Sequence, residues 1–109
     1  MKLLFVVLNT PEKLEEVMEG LVEVGVTGAT VMDSEGMGHI LEAVPLFAGL
    51  RFLFHGAKPQ NKTLFSAIRD EQAEETMQIL EKVLHCEEES GRGVAFLLPV
   101  ERSIGMHSC

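Results

Sequence analysis

EVGVTGATVMDSEGMG, residues 23–38, decides how the rest of the chain is parsed. A short strand-like run, GATVMDSE (28–35), sits between Gly25 and Gly28 on one side and Gly36 and Gly38 on the other. Glycine is costly to order, so its density here predicts a turn into the strand and a hinge out of it. Gly25 stands where a helix ending in a left-handed cap would place it. Before it, Leu14, Val17, Met18, Leu21 and Val22 recur at spacings of three and four, with Glu12, Glu15, Glu16, Glu19 and Glu23 on the remaining face. Thr10 is positioned as N-cap and Pro11 as first helical residue, so 11–24 is predicted as an amphipathic helix. Further upstream, KLLFVVL (2–8) is a continuous apolar run of the kind that forms a buried strand.

Downstream, residues 36–60 form a long connection punctuated by Pro45, Gly49, Gly56 and Pro59. KTLFSAI (62–68) supplies a third strand. Asp70 then caps a second helix whose apolar side carries Ala73, Thr76, Met77, Leu80, Val83 and Leu84. A glutamate- and glycine-rich loop (87–93) precedes the last strand, VAFLLPV (94–100), and the tail 101–109 has no period. Strand, helix, strand, strand, helix, strand is an α+β order of the ferredoxin-like type. It predicts one domain over 1–109, with two helices on one face of a four-stranded antiparallel sheet. The first and last strands lack the polar alternation of a half-solvated sheet. Their second face therefore needs a cover, and the economical cover is another copy of the chain.

Composition narrows the function classes. Nine basic and seventeen acidic side chains give a net charge of −8, and neither Trp nor Tyr is present. Both features disfavour a nucleic-acid partner. The amino-terminal apolar run is too short for a signal peptide, and no run is long enough to span a bilayer. Two cysteines are too few for a disulfide scaffold, so the expected location is cytoplasmic.

With this order in place, LEEVMEGLVEVGVTGATVMDSEGMG (14–38) resembles the nitrogen regulatory PII signalling proteins from first helix to long loop. GRGVAFLLPVERSIGM (91–106) is similar to that family's second ligand loop and last core strand. The resemblance implies a homotrimer with inward-facing sheets and an adenine nucleotide as small-molecule effector between subunits. It also implies a projecting loop that docks on a regulated enzyme or membrane transporter, and a signal transducer rather than a catalyst. The family's Gly-aromatic-Gly stretch corresponds to Gly36, Met37 and Gly38, and its phosphate-cradling loop to Gly91, Arg92 and Gly93. Thr30 lines the cleft by the same analogy, and Arg102 matches a family arginine. Consecutive amides beside a guanidinium make an anion nest. The bland alternatives are a strand-ending turn and a helix-to-strand turn with a solvated arginine.

Several positions depart from that family. The lysine expected after the phosphate loop is Val94, and two basic residues of the distal strand are replaced by Gly105 and His107. Losing three charge-assisted contacts disfavours ATP in the usual family mode and leaves AMP, a cyclic nucleotide or another small anion easier to hold. The long loop is apolar, with Leu46, Phe47, Leu50, Phe52 and Phe54 around Arg51. It is either a partner-docking segment or a segment that folds onto its own oligomer.

Two other classes compete. His85-Cys86 and His107-x-Cys109 form a soft N/S set suited to zinc or copper(I), although adjacent residues seldom ligate one ion together. A ligand-free interaction protein would use the apolar loop alone. A Cys-His dyad lacks an orienting third residue, so no catalytic residue is assigned.

Overall fold

A computed structural model describes residues 1–46, 61–84 and 93–106. The strands are β1 (Lys2–Leu8), β2 (Thr30–Ser34), β3 (Asn61–Ile68) and β4 (Gly93–Pro99). The helices are α1 (Leu14–Val24), α2 (Met37–Glu42) and α3 (Asp70–Leu84), with a 3-10 turn at Pro11–Lys13. One antiparallel sheet has the order β2-β3-β1-β4, the ferredoxin-like arrangement predicted from element order.

Strand pleating sorts the apolar residues between two faces. Leu4, Val6 and Leu8 of β1, with Leu64 and Ile68 of β3, are buried beneath the helices. They meet Val17 and Leu21 of α1 and Leu80 and Val83 of α3 in a single core. The alternate residues point to the opposite face, and Phe65, Phe5 and Phe96 lie in register across β3, β1 and β4. Beside them, Val94 and Leu98 are exposed at 43% and 45%, and Phe96 at 52%. The continuous apolar runs are thus explained: β1 and β4 are greasy on both sides, and Val94, Phe96 and Leu98 of β4 stay exposed on the side away from the helices.

Several local expectations need correction. The helix predicted over 11–24 is split, because the Lys13 N–H bonds the Thr10 carbonyl (2.9 Å) and closes a 3-10 turn before α1 begins. Thr10 makes no side-chain cap bond to that turn. Met18 and Val22, expected on the buried side of α1, are exposed at 42% and 62%. On the side of α1 that does meet α3, Gly20 is buried, and a Cβ there would stand 2.5 Å from Ile79 Cγ2. The buried stripe of α1 is thus Val17, Gly20 and Leu21, and Met18 and Val22 lie off it. The C-cap is as expected: Gly25 has φ 95°, and the Val26 N–H returns to the Leu21 carbonyl at 2.9 Å.

Asp70 does not cap α3 through its side chain. The Gln72 amide oxygen accepts the Arg69 N–H (2.9 Å), half of a capping box, and Asp70 instead receives the Met1 ammonium at 2.8 Å. That ammonium holds the Asp70 carboxyl below its ordinary range, first by hydrogen bonding and then by charge. A depressed folded-state value means the contribution is fully present above the unfolded carboxylate range. It is lost as pH falls through the lowered value.

Within α3, the Thr76 hydroxyl is fully enclosed and has no hydrogen-bond partner among the described residues. Replacing it with an isosteric methyl removes an uncompensated desolvation cost. Thr76→Val is therefore expected to raise unfolding free energy by about 1 kcal/mol in a denaturant melt.

Candidate functional site

The two ends of the sheet have different chemistry. At one end Ser34 pairs with Asn61, and Leu8 pairs with both Lys62 and Gly93. At the other, Lys2 pairs with Ile68 and Pro99.

The first end carries most of the described glycine candidates. Gly36 is the N-cap of α2 in an extended conformation, and its carbonyl accepts the Ile40 N–H at 3.2 Å. Met37 and Gly38 fall in the first turn of α2, a short helix within the connection that the sequence reading left without structure. Met37 is 71% exposed. Neither Gly36 nor Gly38 has a positive φ, so this hinge is a helix start and not a left-handed turn. Gly93 opens β4 in close quarters: a Cβ would meet the Val7 carbonyl oxygen at 2.6 Å, Leu84 Cδ2 at 3.2 Å and Leu8 Cα at 3.3 Å. A packing requirement therefore accounts for Gly93 whether or not a ligand approaches it. Gly91 and Arg92 lie outside the described residues, as do His85, Cys86, His107 and Cys109.

Beside Gly36 lies a group that sequence reasoning missed. The Ser34 hydroxyl contacts the Thr63 hydroxyl at 2.7 Å and donates to the Asn61 side-chain oxygen. Asn61 and Thr63 are only 7% and 6% exposed, on the face that is otherwise apolar. Their polarity at alternate positions, 61 and 63, was the available signal. Its meaning depended on Ser34, which is 27 residues away from Asn61.

Thr30 belongs to a different place. It flanks an open cleft of about 960 Å³ bordered by Leu3, Val26, Phe65, Asp70 and Met106. Gly36, Met37, Gly38, Gly93 and Arg102 do not border this cleft. The four residue steps from Thr30 to Ser34 alone span ~13 Å of extended strand, so one chain does not bring Thr30 and the Gly36 turn onto one small ligand. Arg102 is exposed in the segment beyond β4, past the Lys2–Pro99 end of the sheet.

Of the docking residues expected in the long connection, Leu46 is described and is 83% exposed. Phe47, Leu50, Arg51, Phe52 and Phe54 lie outside the described residues. Among the described residues, no group of three or more His, Cys, Asp or Glu side chains is arranged to hold a metal ion. Among the same residues, no helix is long and apolar enough to cross a membrane.

The family model described as "Nitrogen regulatory protein P-II" matches residues 1–107, nearly the whole chain, and spans both sheet ends and both long helices. The chain belongs to the P-II nitrogen regulatory protein family, whose members are signal-transduction regulators.

Proposed function

We propose that this protein works as a homotrimeric regulator that senses a small adenine-containing effector in the seams between subunits. It would act on a partner protein through the connection that begins at Gly36. The observation that carries the reading is the uncovered sheet face, with Val94, Phe96 and Leu98 each exposed by 43% or more in a lone chain. Apolar surface of that kind is stabilised by removal from water, and closed rotational symmetry removes it without leaving a new edge.

Assembly also answers the separation of the candidate residues. Thr30 of one subunit and the Gly36–Gly38 turn of its neighbour can border one seam, although within a chain they lie apart. In this proposal Gly91, Arg92 and Gly93 form the anion-facing loop, and Arg102 adds a charge from the last strand's exit. Ligand binding at the turn biases the conformation of residues 39–60, which carry the exposed Leu46, and so presents or withdraws a partner surface. The proposed setting is the cytoplasm.

Two measurements test the reading together. Sedimentation across a dilution series should give the mass of three chains, and calorimetry should show binding of an adenine compound that Arg92→Ala weakens by roughly tenfold. A lone subunit at all concentrations removes the seams. Trimers that bind no adenine compound leave an interaction protein without this effector.

A further inference from the structure

We infer that the outer face of α1 is a second docking surface, which takes a basic amphipathic helix of a partner protein. The inference goes beyond the effector proposal and does not depend on it. The proposed subunit contact uses the open face of the sheet, with Val94, Phe96 and Leu98, whereas α1 lies on the other side.

Charge is spread unevenly over the fold. Four glutamates in α1 and five acidic residues in α3 are all exposed, and Lys82 is the one basic residue in these two helices. Nine acids less one base leave eight net negative charges, equal to the formal −8 of the whole chain. The rest of the sequence is therefore balanced, and the helices carry the acidic field. Beside them, Lys13 is paired with Glu16 at 3.2 Å and Arg69 with Glu71 at 3.3 Å. Glu15, Glu19 and Glu23 form no ion pair among the described residues.

Set in that field is an apolar row. Met18 and Val22 are exposed at 42% and 62% and stand one turn apart. At about 100° per residue both lie nearly opposite Gly20, the position that meets α3, so α3 does not cover them. Val22 also lies toward the end of α1 that leads into Thr30, away from the sheet end at Asn61 and Gly93. Met18 and Val22 each follow a glutamate by three residues, Glu15 and Glu19. Glu15, Glu19 and Glu23 in turn recur at intervals of four, a like-charge spacing that destabilises a helix.

One partner relieves both costs. A helix with an apolar stripe over Met18 and Val22 removes them from water, and lysines or arginines flanking that stripe neutralise the glutamate row. Charge decides the class of occupant. A neutral apolar helix would bury these carboxylates unpaired, and an acidic one would be repelled.

Fluorescence anisotropy with a labelled leucine–lysine peptide, its leucines at helical spacing, tests the inference against a scrambled peptide of equal composition. The spaced peptide should bind wild type at least about tenfold more tightly than the scrambled one. Added salt should weaken it, because screening removes the attraction. Met18→Gln with Val22→Gln should lower its affinity by about tenfold, at unchanged sedimentation mass and circular dichroism. Glu15→Gln with Glu19→Gln should weaken it similarly and flatten the salt dependence. Glu101→Gln, which changes an exposed acid beyond β4, should leave binding as in wild type. Failure of the spaced peptide to bind overturns the inference. Equal binding of the two peptides also overturns it, leaving only a general attraction of cations to an acidic chain. So does binding that the Met18 and Val22 changes leave unaffected. The effector proposal survives each of these results, since none of the changed residues is placed in the subunit seams.

Discussion

Gly93→Ala should destabilise the protein by about 2 kcal/mol, the cost of forcing extra volume into a packed site. The added Cβ would sit 2.6 Å from the Val7 carbonyl and 3.2 Å from Leu84 Cδ2. The Val7 oxygen is backbone in the sheet's β1, so it cannot rotate away, and relief requires separating β4 from β1. For a domain of this size the corresponding fall in melting temperature is roughly 10 °C. Gly28→Ala is the matched control: a Cβ there meets nothing within 4 Å, and Gly28 is not among the described glycines of positive φ. That control should be neutral or slightly stabilising, through reduced freedom of the unfolded chain. Equal melting curves for the two variants would show that β4 is not held against β1 at Gly93. Because a bound effector or an assembled oligomer also raises stability, the comparison belongs at one protein concentration without ligand.

The second large effect is expected from Phe96→Glu. Phe96 contributes nothing to the core beneath the helices, and its side chain is half exposed on the open face. A folded subunit therefore tolerates a glutamate there. An assembled one does not, because the change forfeits ~2 kcal/mol of apolar burial per chain and buries a carboxylate without a partner. The proposed trimer's dissociation midpoint should rise by at least about a thousandfold, read as a shift from three-chain to one-chain mass in sedimentation velocity. Circular dichroism should stay native, which separates lost assembly from lost folding. A variant that still sediments as a stable trimer would place the subunit contact elsewhere and detach the effector proposal from the sheet face.

The two variants also show where sequence reading succeeds and where it stops. Periodicity and glycine placement predicted the four strands, the two long helices, the buried side of α3 and the left-handed cap at Gly25, but not α2. The unbroken apolar runs of β1 and β4 further implied a sheet with two dry faces. These properties are local or summed along a segment, so a linear pattern records them. The candidate site was legible only in pieces. Thr30 borders one cleft and Gly36 begins a helix at the other end of the strand, so the structure of one chain leaves the roles expected of them, and of Leu46, as proposals.

What only the tertiary structure decided depends on which distant segments meet. Gly20 looks like any helix glycine until Ile79 is placed against it, and the side of α1 that packs on α3 then includes Gly20 and not Met18 or Val22. Gly28 and Gly93 are equivalent as letters, yet only the second touches another strand's backbone. Ser34, Asn61 and Thr63 become one polar group because the register of β2 on β3 brings them together. Register and helix rotation are set by pair contacts between residues far apart in the chain, and no pattern within one segment encodes them.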